Sequence, residues 1–312
     1  MDNNNSAAER LRFLLTHIED AYAPNTIRAY RADMLEFIGY CEKARQEALP
    51  AEPLTVADFL LQSSNSGVKA STIKRKESSI SAIHRLSYLT DPTKHPEVQI
   101  AMRKINRRLG TRFNQAYPIN QETLHMMLAC CGDDLRGKRD RMLLLLAYET
   151  MRRRSELVSL RVEDWTTSNN GSSKILLRQS KTDQTGVGAV IYLDQSSTLA
   201  IKDWIEAAGL QIGHLLRGVA AGGRLTDRLN SGQVGRIYKK LARECGLPDA
   251  VNRRISGHSA RVGGAQDLLA CGASIAQIMA KVGWTKVDTV MRYVGYTPIQ
   301  AINAEAAHRR GT

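Results

Sequence analysis

Hydrophobic positions recur at helical spacing along most of this chain, and only one stretch near the middle alternates. Leu11, Leu14, Leu15 and Ile18 share one side of a helix over 7–18. A stronger helix starts at Pro24-Asn25-Thr26 and runs to about residue 41, with Ile27, Tyr30, Met34, Phe37, Ile38 and Cys41 on its apolar face. Pro50-Ala51-Glu52-Pro53 reads as a turn, and Thr55 with Asp58 as the cap of a helix to residue 61. Gly67 precedes a helix that opens at Ala70 and reaches about residue 89, and His95-Pro96 precedes another that ends in Arg103-Lys104-Ile105-Asn106-Arg107-Arg108. From 109 to 117 the periodicity lapses, around Gly110 and up to Pro118. The pattern predicts an all-helical domain over 1–110, a linker at 111–118 and a second domain over 119–312.

The second domain opens with helices over 121–131 and 139–151, the latter apolar from Met142 to Tyr148 and therefore a core helix. Asn169-Asn170-Gly171 is a hairpin turn joining strands at 160–165 and 175–178, and a second hairpin returns through Val190-Ile191-Tyr192-Leu193. The predicted fold class is mostly α with a small antiparallel β-sheet: a helical N-terminal domain followed by an α+β domain. Residues 195–250 mix helical patches with glycine-containing turns and carry Arg236, Lys239 and Lys240, but no recognisable chemistry.

Composition adds a partner. The chain has 312 residues, enough for two cores, and its 44 Lys and Arg against 31 Asp and Glu leave a net charge of +13. Such a surplus points to a polyanion, DNA or RNA before an anionic membrane. Arg28 and Arg31 lie on the polar face of the second helix, Lys74, Arg75 and Lys76 open the fourth, and Arg107 and Arg108 close the fifth; these are the candidate DNA contacts. Cations in a first helical turn oppose the macrodipole by about 0.3–1 kcal/mol each, a sign that a phosphate backbone reverses. The cysteines Cys41, Cys130, Cys131, Cys245 and Cys271 show neither zinc spacing nor a disulfide framework, so no metal site is expected and a reducing compartment fits. The polar start lacks the order of a signal peptide, and the longest apolar run, 142–147, is far too short to span a bilayer; a cytoplasmic protein is expected.

The chemistry gathers in the last third. In Gly257-His258-Ser259-Ala260-Arg261-Val262-Gly263-Gly264 the His and Arg stand three apart, one helical turn, and free N–H groups where the helix begins suit an anion, most simply a phosphate. Gly272 closes that helix. Ser274 caps a second to Val282, which Gly283 ends just before Trp284. Thr285 with Asp288 reads as the capping box of a third helix, in which Tyr293 lies two turns on.

In this order and at these intervals His258, Arg261, Trp284 and Tyr293 resemble the C-terminal catalytic signature of the tyrosine recombinases, the phage integrase family. Most members carry a second His where this chain has Trp284, so the run is most similar to the Cre-like branch. The resemblance implies further residues. The family has an Arg three before a Glu, which selects Arg153 with Glu156 from Met151-Arg152-Arg153-Arg154-Ser155-Glu156-Leu157. A Gly normally lies two before that Arg; here it is Met151, which leaves the register among the three arginines open. Ser180-Lys181-Thr182-Asp183-Gln184 is similar to the family's mobile loop and supplies Lys181.

The resemblance also implies roles. Tyr293 attacks a DNA phosphate to give a 3′-phosphotyrosine, Arg153, Arg261 and Trp284 hold the non-bridging oxygens, and His258 is base or proton-holding partner. Lys181 protonates the departing 5′ oxygen, and Glu156 positions its neighbours, His258 first. No cofactor, metal or ATP is implied. The implied partners are double-stranded DNA with an inverted-repeat target and three further copies of the chain, a homo-tetramer passing through a Holliday junction. The N-terminal domain is similar to the family's core-binding domain, and a short helix after Pro298 would dock on a neighbouring subunit or on its own domain. Two readings compete. A type IB topoisomerase or telomere-resolving enzyme would use much the same residues, and a non-catalytic DNA-binding regulator would explain the charge but leave the residue set accidental.

Overall fold

Prolines write the helix starts in the first half of the chain. Pro24, Pro53 and Pro96 stand in the first turns of α2 (Pro24–Ala44), α3 (Pro53–Asn65) and α5 (Pro96–Leu109), where a missing N–H forfeits no intrahelical bond and the ring presets φ. With α1 (Asn3–His17) and α4 (Ala70–Leu86) they form the first of two compact units, Met1–Phe113 and Asn114–Thr312. The computed structural model describes residues 3–110, 115–168, 171–180 and 188–294. In the first unit α2 packs on α1 and α4, and α3 on α5, around the fully buried Met34, Phe37, Ile73, Ile80 and Ile83. The helical periodicity of those positions is what closes this core.

Three expectations for this unit are corrected. α3 begins at Pro53 rather than at a Thr55–Asp58 cap, with Thr55 buried in the first turn. α4 stops at Leu86, short of 89, because Tyr88 takes a left-handed φ of 58° that cannot continue a helix. Lys76, a candidate DNA contact, is only 3% exposed. Its Nζ donates to Glu36 at 2.6 Å and to Ser63 at 3.3 Å and lies 5.3 Å from the Phe59 ring centroid. The reason is register: Ile73, Lys76 and Ile80 share the face of α4 that is buried. Lys74 and Arg75 are exposed but already paired, with Glu77 and with Asp33 (3.0 Å) respectively.

The second unit is built around α7 (Leu135–Thr150), which follows α6 (Gln121–Ala129); both start earlier or end sooner than the apolar runs suggest. Met142, Leu143, Leu144 and Leu146 are fully buried, so α7 is apolar on several sides and is packed by α6 and by residues Ala189–Leu193, Gln195–Ala208 and Ser259–Ala270. The sheet is three-stranded and antiparallel in the order β1 (Trp165–Thr167), β2 (Ser173–Leu177), β3 (Ala189–Leu193). Register sets Trp165 opposite Ile175 and Ile175 opposite Ile191. Ser173, Ile175 and Leu177 face inward while Lys174 and Leu176 face out.

The expected strand at 160–165 is not formed. Val162–Asp164 is a single 3-10 turn, and the backbone of 160–162 pairs instead with 213–215, Leu215 N–H donating to the Leu160 carbonyl at 2.8 Å and Val162 N–H to that of Gly213 at 2.9 Å. The alternating apolar positions there satisfied a different partner. Asn169 and Asn170, the hairpin turn read from the sequence, lie outside the described residues. After the sheet come α8's successors α9 (Gln195–Ala208), α10 (Ser231–Glu244) and α11 (Asp249–Arg254), with α8 itself (Arg154–Leu157) a single turn directly after α7. Finally α12 (Ser259–Ala270), α13 (Ile275–Val282) and α14 (Val287–Val294) rest on a small cluster of their own: Met151, Ala265, Ile278, Val282, Trp284, Val290 and Val294. Among the described residues no helix is long and apolar enough to cross a membrane.

Candidate active site

Local chemistry places each of these final helices. Ser274 caps α13 in a full capping box with Gln277, and Gly283 ends it at φ 70°, as the sequence predicts. α14 begins at Val287, one residue later than the Thr285–Asp288 reading requires. α12 begins at Ser259, so His258 occupies the N-cap position and Arg261 the first turn rather than both lying within the helix.

Trp284, Tyr293 and Arg261 meet. The Trp284 and Tyr293 rings stack with centroids 4.8 Å apart at 22°. The Arg261 guanidinium stands 4.7 Å from the Trp284 ring centroid and 5.8 Å from that of Tyr293. A desolvated cation against an aromatic face gains about 2 kcal/mol, which helps hold a guanidinium that is only 3% exposed. Burial pulls the Arg261 pKa down to about 10, countered by Tyr293 and furthered by Arg153 and Arg152. It stays charged at neutral pH. One Arg261 N–H donates to the Met151 carbonyl at 2.5 Å, while Arg261 Nε and Trp284 Nε1 are buried without an acceptor among the described residues. Unpaired buried donors cost about 1–3 kcal/mol each, and two of them beside a phenol suit an anionic ligand.

The three consecutive arginines part company. Arg153 belongs to the α7–α8 turn, where Glu156 accepts from its guanidinium at 2.8 Å and from its backbone N–H at 2.9 Å. Glu156 is thus the hydrogen-bond partner of Arg153, and among the described residues it makes no hydrogen bond to His258. Arg152 is turned the other way, donating to the Val282 carbonyl at 3.4 Å at the end of α13, and burial lowers its pKa. Arg154 is exposed, its stem lying where Gly257 leaves room: a Cβ there would come within 3.1 Å of Arg154 Cδ. Partial desolvation, then the charges of Arg261, Arg154 and Arg153, hold His258 below the ordinary histidine pKa and keep its imidazole neutral.

Met151 explains the departure from the family's Gly. It takes a left-handed φ of 48°, a conformation that costs a residue with a Cβ about 1–2 kcal/mol. Its buried side chain joins the cluster beneath Trp284, so packing offsets the strain. The turn that Gly would make is still made.

Thus Arg153, Glu156, His258, Arg261, Trp284 and Tyr293 come from α7–α8, α12, α13–α14 and converge, while Lys181 lies outside the described residues, as does Tyr296. The proposed DNA contacts Arg28, Arg31, Arg107 and Arg108 are exposed on the first unit. Arg28 donates to the Asn25 side chain at 2.6 Å, and Arg108 to the side chains of Asn65 at 2.7 Å and Ser64 at the end of α3. Sequence reasoning missed that the Met151 carbonyl anchors Arg261, and it missed the two glutamines on Tyr293 described below. No local pattern marks them, since each acts on a residue far away in sequence.

Comparison with known proteins agrees with this arrangement. The family model "Phage integrase family" matches residues 118–298, and "Phage integrase, N-terminal SAM-like domain" matches residues 12–89. An integrase/recombinase XerD homolog from Selenomonas ruminantium is 30% identical over 89% of this chain and 83% of that protein. Recombinase Cre of Escherichia phage P1 is 27% identical over 88% of this chain and 84% of its own length. The XerH site-specific recombinase, solved bound to a palindromic difH substrate after cleavage, superposes with a TM-score of 0.69 at 17% identity over 96% of this chain and 84% of that one, a likeness of fold. A helical first unit, an α+β second unit and the Arg–His–Arg–Trp–Tyr convergence define a tyrosine recombinase, and the chain belongs to the phage integrase family.

Proposed function

We propose that this recombinase cuts and rejoins double-stranded DNA at a specific inverted-repeat site, with Tyr293 as nucleophile. The observation that carries the reading is the Arg261–Trp284–Tyr293 stack, a buried cation and an indole N–H donor held against a phenol. Phosphoryl transfer requires an in-line nucleophile, neutralised equatorial oxygens and a proton for the leaving oxygen. Tyr293 Oη attacks phosphorus and the P–O5′ bond breaks, leaving DNA joined through its 3′ phosphate to Tyr293. Arg153 and Arg261 fork onto the non-bridging oxygens and Trp284 adds its N–H. Neutral His258 takes the phenol proton, and Lys181 supplies one to the 5′ oxygen.

The phosphotyrosine conserves the bond, so attack by a new 5′ hydroxyl releases Tyr293 and joins a different strand without ATP. Two such exchanges between duplexes pass through a Holliday junction, in a tetramer. In this reading the domain over 1–110 and the domain over 119–312 both contact DNA, with Arg28, Arg31, Lys74, Arg75, Arg107 and Arg108 on phosphate or bases. A type IB topoisomerase-like relaxation without a defined site is the alternative outcome of the same chemistry.

The test incubates wild type and Tyr293→Phe with a library of randomised inverted-repeat duplexes and isolates DNA covalently attached to protein. Attachment to the 3′ side of a nick by wild type alone, at a recoverable sequence, is expected. DNA binding by both variants with attachment by neither would establish a regulator instead, and attachment that survives the substitution would move the nucleophile to Tyr296.

A further inference from the structure

The last helix of the site ends in a carbonyl that two distant side chains hold. Tyr293 lies in the last turn of α14, where backbone C=O groups have no intrahelical donor and normally turn to water or a backbone cap. Here the Tyr293 carbonyl accepts from Gln115 Nε2 at 2.8 Å and from Gln266 Nε2 at 3.1 Å. Gln266 sits on α12, five residues after Arg261, so the helix that presents the phosphate-binding guanidinium also grips the peptide of the nucleophile. Both amides are half-buried.

Gln115 brings in a second element. Residues 115–119 are laid along the unit in register: the Gln115 side chain bonds to Tyr293, the Tyr117 N–H to the Arg254 carbonyl at 3.0 Å, and the Ile119 N–H to the Ser259 carbonyl at 3.0 Å. Every second residue of this strap thus meets the site's frame, with Ser259 directly after His258. The fit leaves no slack, because a Cβ added to Gly263 of α12 would lie 1.8 Å from the Ile119 carbonyl oxygen. The strap and α12 cannot shift independently.

We infer that Gln115 and Gln266 are positioning residues that fix the Tyr293 peptide against α12, and so set the rate of the chemical step without taking part in DNA affinity. The proposal rests on Tyr293 being the nucleophile. Both amides act as donors to an oxygen, so an isosteric group that can only accept must release the peptide. Glutamate is such a group when ionised, and it becomes a donor again when protonated.

The experiment uses the full chain carrying Gln115→Glu, Gln266→Glu or both, with Gln266→Arg as a variant that keeps a long donor. Without DNA, hydrogen exchange is expected to rise in α14 of the double variant while α7 and the first unit keep their wild-type protection. Unchanged α14 protection overturns the clamp whatever the protein's activity proves to be. With duplexes selected by the wild type, single-turnover attachment should slow by between about tenfold and a hundredfold at unchanged Kd. The deficit relative to wild type should narrow as pH falls through the glutamate range, and Gln266→Arg should retain most of the rate. A loss of Kd and rate together, no recovery at low pH and no rescue by Arg would mean that these residues serve general stability only. Raised α14 exchange in the double variant, together with a wild-type protein that forms no covalent adduct, would keep the clamp and sink the nucleophile assignment.

Discussion

At the scale of single residues, the three adjacent arginines show how little a local sequence says about what its charges do. Arg153 is locked by Glu156, Arg152 caps α13 and Arg154 lies in solvent beside His258. Substitution should separate them. Arg153→Gln or Arg261→Gln is expected to lower single-turnover cleavage by about 10²–10³, the scale of losing one preorganised donor to transition-state charge. Arg152→Met should leave cleavage within about tenfold and stability within about 1 kcal/mol, because it removes one long hydrogen bond while relieving a half-buried guanidinium whose Nε has no acceptor. His258 adds a pH signature. Its pKa is held below the ordinary value of about 6.5, so a step that needs the neutral ring should run flat through neutral pH and fail only below that value. Arg154→Gln removes one of the charges that depress it; the folded pKa then rises, and the acid limb of the rate profile should move to higher pH.

Between elements, the site depends on how closely α12 can approach its neighbours. Asp267 ties this helix to the rest of the unit, accepting from the Tyr148 hydroxyl at 2.6 Å and from the Gln121 N–H at 2.7 Å, which raises the Tyr148 pKa in addition to the effect of burial. Gly263 and Gly264 give the room: added Cβ atoms would stand 1.8 Å from the Ile119 oxygen and 2.7 Å from the Tyr148 oxygen. Backbone on the other side cannot yield as a flexible side chain would. Gly263→Ala is expected to destabilise the protein by about 1–3 kcal/mol, measured by denaturant unfolding, and to slow cleavage by more than that loss of folded protein explains. Wild-type cleavage in a stable Gly263→Ala protein would show that the strap is free to move.

Across the whole molecule the surplus of +13 is the property a DNA partner would read, but it is not evenly available. Part of the basic run on α4 is spent on neighbouring carboxylates, Lys76 inside the core and Arg75 on the buried Asp33. Exposed Arg28 and Arg31 are of another kind. Each phosphate contact contributes about 0.9 to the slope of log K against log salt, so replacing both arginines with Gln should flatten that slope by up to about 2. Lys76→Met should leave the slope unchanged. An equal effect of all three substitutions would show that the first unit's charge acts as a diffuse field and not through individual contacts.

Most helices of the first unit, the two-part organisation and the close-set run from His258 to Tyr293 could be read from the sequence, because helical periodicity, capping serines and terminal glycines are local properties, while the roles of that run came from the family resemblance. The packing of Arg261 against the stacked Trp284 and Tyr293 rings was not legible, nor was the partner of Glu156, the burial of Lys76, the pairing of 160–162 with 213–215, or the grip of Gln115 and Gln266 on the Tyr293 carbonyl. Each of these joins groups far apart along the chain. Which of several chemically suitable partners a charge or a carbonyl meets is fixed by helix packing and strand register, and those are decided by the core as a whole.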